Sequence, residues 1–223
     1  MDTATRPAPP PSIAHRVVNE EPISPGEYLK RERERETNER FEFIDGWVIA
    51  LHDVVLDREA VMMTGPTIEH NSIVSNINGE LRERLRTGNC RAMAPAPRVS
   101  LPEDESYFYP DALVVCGPPK TQNGHRDTIT NPQVIVEVLS PSTMDYDRGE
   151  KFARYRQLDS LREYLLVAQD RPHVEHYVRQ GDGSWRFVET DGRDAEIDLP
   201  TLDASLPLSE VYLDVSVESD ETE

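Results

Sequence analysis

The spacing of apolar and polar positions changes several times along the chain, and each change marks an element. From Val134 to Leu139 every residue is apolar except Glu137, the pattern of a central strand covered on both faces. After Gly65-Pro66 the period becomes helical. Ile68, Ile73, Val74, Ile77, Leu81 and Leu85 recur on one side of a predicted helix ending near Thr87-Gly88, although Asn78-Gly79 interrupts it. Phe41-Glu42-Phe43-Ile44 and Trp47-Val48-Ile49-Ala50 flank Asp45-Gly46, a hairpin signal. Strand-like segments around 90–101 and 107–116, connected through 102–106, predict an antiparallel pair. A helix over roughly 145–158 follows the Glu137 strand. Beyond it come strand 163–167, a turn at 170–172, strand 173–179, and a Gly181-Asp182-Gly183 turn into strand 185–188. Near the start, Ser24-Pro25-Gly26-Glu27 combines a capping serine, a proline at the first helical position and a glutamate three residues after the cap. The sign-alternating run from Lys30 to Glu36 then reads as a solvated surface. Strand, helix, strand in the middle with meandering strands at both ends predicts an α/β (α+β) fold with a mixed sheet.

Length divides this pattern into one domain with tails. The 223 residues are 37% hydrophobic and 30% charged, enough for one core under a polar surface. Residues 1–22 are proline-rich and read as a flexible lead-in, 23–214 as the domain, and 215–223 as an acidic disordered tail. No run approaches the ~20 apolar residues of a membrane span, and the N-terminus lacks the apolar core of an export signal. A cytoplasmic protein without membrane partners is expected. Cys90 and Cys116 sit on separate strand-like segments without zinc-finger spacing, so reduced, packed thiols are expected. The net charge of -18 opposes a nucleic-acid partner. Residues 182–223 hold 13 of the acids and only 2 bases, however, so most of the excess is C-terminal.

The candidate chemistry lies in acids on apolar strands. Asp111 follows Tyr109-Pro110, and Glu137 interrupts Val134–Leu139. Burying ionised acids costs several kcal/mol unless a cation or hydrogen bonds offset it, so two converging acids suggest a metal site. Their hard oxygens favour magnesium, manganese or calcium. Lys151 shares a helical face with Asp147 and Tyr155, four residues to either side. It either forms an exposed pair with Asp147 or reaches the site to stabilise developing negative charge. Glu42 points opposite to Phe41 and Phe43 on its strand, where it completes the site, orients the attacking water, or lies on an exposed face. His70, near the start of the long helix, is a candidate phosphate donor or proton carrier, or a helix cap.

These residues stand within Phe41-Glu42-Phe43-Ile44-Asp45-Gly46, Glu69-His70, Tyr109-Pro110-Asp111, Val136-Glu137-Val138-Leu139-Ser140-Pro141-Ser142-Thr143, Asp147-Arg148-Gly149-Glu150-Lys151 with Tyr155, and Glu163-Tyr164. Together the motifs resemble the Uma-two family of restriction-endonuclease-like proteins, within the PD-(D/E)XK nuclease superfamily, over about residues 24–214. The resemblance implies a restriction-endonuclease-like core, a mixed sheet flanked by helices. It further implies Mg2+ or Mn2+ bound by Asp111 and Glu137, with the backbone carbonyl of Val138 as a third ligand. Two positions depart from the pattern. Leu139 stands where the superfamily motif places lysine, which puts Lys151 in that role, and Ala168 stands where relatives often carry aspartate. The expected function is a metal-dependent endonuclease acting on DNA ahead of RNA, as a homodimer that cuts two strands with two sites. The alternative is a non-catalytic binding or assembly module that keeps the nuclease fold.

Overall fold

A computed structural model describes residues 8–9, 16–36, 39–51, 54–57, 60–63, 66–101, 106–122 and 125–217. Helix α1 (Pro25–Glu34) begins as its sequence predicts, with the Ser24 hydroxyl accepting from Glu27 N–H at 3.1 Å. Strands β1 (Phe41–Ile44) and β2 (Trp47–Ala50) form the predicted hairpin. Asp45 and Gly46 both take positive φ, 51° and 98°, the conformation a two-residue turn between right-twisted strands requires. A second hairpin joins β3 (Val54–Asp57) and β4 (Ala60–Met63). Helix α2 (Ile68–Arg84) runs unbroken through Asn78-Gly79. Ile73, Ile77 and Leu81 are buried beneath it, while Ile68, also counted on the apolar side, is 80% exposed at its first turn.

The segments predicted as one antiparallel pair are four strands in two sheets. Strands β5 (Cys90–Met93) and β6 (Arg98–Leu101) are separated at Pro95; β7 (Ser106–Phe108) and β8 (Ala112–Cys116) are separated at Pro110. Proline has no N–H to give a ladder, and at these two bends the chain passes from one sheet to the other. One sheet has the order β2-β1-β7-β6-β9, with β9 at Thr128–Ile129. The other has the order β13-β12-β11-β10-β8-β5, from β10 (Val134–Leu139), β11 (Glu163–Ala168), β12 (His173–Arg179) and β13 (Trp185–Asp191). Strand β10 pairs parallel to β11 and antiparallel to β8, so the sheet is mixed, as expected. Asp111 lies at the bend into β8, beside the junction of the two sheets.

Between β10 and β11 the chain is helical, but not as one regular helix. Helix α3 (Met144–Tyr146) passes through a wide π-helical turn at Asp147–Lys151 into α4 (Phe152–Tyr155), a local form often found at functional sites. Alternation along β10 divides the core. Val134, Val136 and Val138 face α2, whereas Ile135 and Leu139 face Tyr155, Phe152 and Tyr164. Glu137 therefore projects toward the π-helical turn.

Three further expectations are corrected. Cys90 and Cys116 are joined in a disulfide, not reduced; the β5–β8 register sets them directly opposite, with Cα atoms 3.9 Å apart. The proline-rich lead-in does not extend to residue 22. Val17 bridges Ile49, and the Val18 N–H donates to the Val48 carbonyl, so from Arg16 the chain lies along β2. The acidic C-terminal region supplies core. Strands β14 (Glu196–Leu199) and β15 (Ala204–Pro207) and helix α5 (Leu208–Val211) bury Ile197, Leu199, Leu206, Leu208 and Val211 against α2 and β10. Of the predicted tail, Val215 is buried, and residues 218–223 lie outside the described residues.

Glu163, part of the Glu-Tyr motif, ties this region together. Its carboxylate is fully buried, accepts from Thr201 N–H at 2.6 Å and meets His176 Nε2 at 2.7 Å. Glu163→Ala leaves both partners without an acceptor in a buried setting. It is expected to lower stability by about 2–4 kcal/mol, measured by urea unfolding.

Candidate active site

The site is assembled from five segments that meet at the junction of the sheets. In the β8–β10 ladder Ala112 stands opposite Val136, so one step further, where β8 has ended, Asp111 comes up beside Glu137. There Asp111 Oδ2 takes the place of a strand partner and accepts from Val138 N–H at 2.7 Å. A strand residue's carbonyl points to the same edge as its N–H, so the Val138 carbonyl faces this opening too; it is close enough to His70 to favour the charged imidazole.

Lys151 extends from the π-helical turn into the acids. Its ammonium lies 2.8 Å from Glu137 Oε1, 3.1 Å from Glu42 Oε1 and 3.5 Å from Asp147 Oδ1. The exposed Asp147–Lys151 pair considered from the sequence is thus present, but buried and joined to two more acids. Glu42, Glu137, Asp147 and Lys151 are each at most 4% exposed, so Glu42 does not lie on an exposed strand face. Glu42 is fixed from both sides, accepting from Tyr146 Oη at 2.8 Å and Tyr109 N–H at 3.3 Å. Tyr155, on the helical face shared with Lys151, donates to Glu137 Oε1 at 3.2 Å. At the mouth, His70 Nε2 lies 3.3 Å from Asp111 Oδ2, and the Asp111 side chain is 25% exposed. The helix cap at α2 is Thr67, whose hydroxyl accepts from His70 N–H at 3.1 Å; the His70 imidazole is left to face Asp111.

All the predicted site residues, Glu42, His70, Asp111, Glu137, Val138 and Lys151, line one cleft of about 660 Å³. Asp147, Tyr146, Arg16 and Arg40, none of them a site residue expected from the sequence, line it as well. Asp147 stands one turn before Lys151 in the Asp-Arg-Gly-Glu-Lys motif, and that spacing was a usable signal. Arg16 carried none.

The electrostatics are those of too much buried negative charge. Burial raises the Glu137 carboxyl well above the usual carboxylate range; Lys151 opposes this, and Asp147 and Asp111 add to it. Burial also raises Asp147, against the pull of Lys151. Burial acts to raise Asp111 as well, but the His70 hydrogen bond and charge, the Val138 N–H and Lys151 bring it below its ordinary value. For Lys151 burial disfavours the ammonium, yet Glu137, Glu42 and Asp147 hold its pKa well above that of an ordinary lysine.

Three carboxylates around the Lys151 ammonium, with Asp111 beside them, are oxygen donors of the kind a hard divalent cation takes. Among the described residues, no three Asp, Glu, His or Cys side chains stand together in ligating geometry. The Lys151 ammonium itself contacts Glu137, Glu42 and Asp147.

Comparison with known proteins bears on the same region. The family profile described as "Uma2: Putative restriction endonuclease" matches residues 25–209. Two Synechocystis sp. PCC 6803 proteins, both described as uncharacterized, are similar over most of their lengths. One, sll1609, is 34% identical over 176 residues, covering 79% of this chain and 92% of the relative. The other, slr1290, is 30% identical over 191 residues, covering 85% and 91%. The crystal structure of a protein from Anabaena variabilis ATCC 29413, described as a putative nuclease belonging to DUF820, superposes with a TM-score of 0.64. That match is at 17% identity and covers 86% of this chain and 98% of that one, which establishes a shared fold.

Proposed function

Because the chain belongs to the Uma2 family of restriction-endonuclease-like proteins and sets four carboxylates and a lysine at the floor of a cleft, we propose that it is a divalent-metal-dependent endonuclease hydrolysing phosphodiester bonds of DNA. The observation that carries this reading is the buried Lys151 ammonium, 2.8 Å from Glu137 and within reach of Glu42 and Asp147. A lysine so placed supplies the positive charge the superfamily motif draws from the residue at Leu139.

Asp111, Glu137 and the Val138 carbonyl would hold Mg2+ or Mn2+. Such an ion supplies charge neutralisation at phosphorus and lowers the pKa of the attacking water. Hydrolysis joins the water oxygen to phosphorus and breaks the bond to one sugar oxygen, which takes up a proton as it leaves. Lys151, held protonated by its three acids, stabilises the charge that grows on the phosphoryl oxygens. Glu42 is a positioning residue: fixed by Tyr146 and the Tyr109 N–H, it sets the height of the ammonium. His70, hydrogen-bonded to Asp111 at the cleft mouth, is placed to donate to a phosphoryl oxygen or to the leaving group.

A second reading, a non-catalytic module, is favoured by the net charge of -18 and by the absence of three clustered ligating side chains among the described residues. Calorimetric titration with manganese separates the two. The nuclease reading expects one site whose heat disappears in both Asp111→Ala and Glu137→Ala proteins; a module expects no binding that depends on both acids.

The proposal includes a homodimer, since two strands need two sites; light scattering that gives the mass of a single chain at micromolar concentration would remove it. Among the described residues no helix is long and apolar enough to cross a membrane, and we place the protein in the cytoplasm. The Cys90–Cys116 disulfide is expected to protect both thiols from alkylation in protein denatured without reductant. Labelling of both before reduction would contradict the disulfide.

A further inference from the structure

Arg16 is 2% exposed and lines the cleft together with Glu42, Asp111, Glu137 and Lys151. Its Nε and Nη1 are buried and, among the described residues, meet no hydrogen-bond partner. No described carboxylate lies within ion-pair distance of it. Burying two guanidinium nitrogens without an acceptor is costly, and buried donors so left call for an acceptor that arrives from elsewhere. Arg98 shows what a structural arginine looks like in this fold. It is also 2% exposed, but its nitrogens donate to Thr128 Oγ1, Tyr109 Oη and Asp127 Oδ2.

The position of Arg16 is fixed by its neighbours. Val17 and Val18 pair with β2, and the guanidinium carbon lies 5.8 Å from the centre of the Tyr146 ring. Lys151 Nζ lies 5.9 Å from the centre of that same ring. One aromatic ring, whose hydroxyl holds Glu42, thus has two cations against it, one engaged by acids and one at the cleft wall with two nitrogens unpartnered among the described residues. Anything entering the cleft with oxygen acceptors and negative charge meets Arg16 beside the acid cluster. Arg16 also precedes the residues 25–209 that match the family, so the N-terminal segment would add a donor to a site built by the domain.

We propose that Arg16 is a substrate-binding residue that donates to a non-bridging oxygen of a backbone phosphate in the cleft. This rests on the nuclease reading above and adds to it the group that seats the phosphate. It also addresses the charge problem locally, because a guanidinium is always charged and suited to phosphate oxygens, and it faces the cleft of a chain that is acidic overall.

The test is fluorescence anisotropy with a labelled 20-base-pair duplex and the matching single strand, in calcium, over a series of salt concentrations. The wild type, Arg16→Gln and Arg16→Lys are compared. Arg16→Gln is expected to bind about tenfold or more weakly and to lower the slope of log K against log salt by about 0.9 on duplex or 0.7 on single strand, one phosphate contact's worth. Arg16→Lys is expected to keep the slope while recovering only part of the affinity. A structural role would leave the slope unchanged, so equal slopes for wild type and Arg16→Gln overturn the proposal while the nuclease reading stands. If the wild type binds neither nucleic acid, the nuclease reading and this inference fall together. Should Arg16→Gln fail to fold, Arg16→Lys decides: weaker binding supports the phosphate contact, and unchanged affinity overturns it.

Discussion

Lys151→Met is expected to bind manganese more tightly than the wild type and to cleave DNA at least about a hundredfold more slowly. The two effects have one cause. The ammonium sits 2.8 Å from Glu137 and 3.1 Å from Glu42, where it neutralises the acids that would hold an ion and competes with that ion for Glu137. Taking it away leaves Glu42, Glu137 and Asp147 buried together without their shared cation. In the absence of metal the variant should lose about 3–5 kcal/mol of stability, the usual cost of removing one partner from a buried charged group. Binding to the folded state alone stabilises a protein by RT ln(1 + [L]/Kd), so manganese should raise the melting temperature of the variant more than that of the wild type. Thermal melts with and without manganese measure this. An equal rise in both proteins would mean that Lys151 does not share its acids with an ion.

Glu137→Gln separates chemistry from folding in the opposite sense. Cleavage should fall by about 10² to 10³ or more, since the amide is a neutral and poor ligand, while urea unfolding should change by no more than about 1 kcal/mol. The amide fills the same space, Tyr155 can still donate to its oxygen, and Lys151 retains Glu42 and Asp147. The charge that burial penalised at Glu137 is also gone. Asp111→Ala should remove cleavage equally but cost about 1–3 kcal/mol, because the Val138 N–H loses the acceptor it has at 2.7 Å. A Glu137→Gln protein that unfolds easily and still cleaves would assign Glu137 to the scaffold.

How far the sequence led depends on whether a residue's place is set locally. Asp111, Glu137 and Lys151 are written in short motifs, and the odd acid in Val134–Leu139 calls for a cation or hydrogen bonds to offset its burial. Glu42 followed from alternation with Phe41 and Phe43, although its complete burial depended on a second sheet that one strand cannot reveal. The β1–β2 hairpin and the start of α1 were legible because turn and cap chemistry act over three or four residues.

What failed was register and sheet membership. Apolar pattern alone joins 90–101 and 107–116 into two long strands, whereas Pro95 and Pro110 mark the points where a ladder must break. The disulfide is a consequence of that register, since only the pairing of β5 with β8 puts Cys90 opposite Cys116. The acids near β14, β15 and α5 drew attention from the alternation Glu196-Ile197-Asp198-Leu199, whose apolar residues are core. Arg16 was lost in a proline-rich stretch, and its burial depends on β2, more than thirty residues later in the chain.

The most direct measurement is incubation of the purified protein with supercoiled plasmid, single-stranded DNA and RNA, each in manganese, magnesium or chelator, beside Glu137→Gln. Plasmid cleavage that requires the metal and disappears in the variant is the expected result. Cleavage that persists in chelator, or that Glu137→Gln performs as well as the wild type, would contradict a metal-dependent site at these acids, and no cleavage of any substrate would favour the binding module.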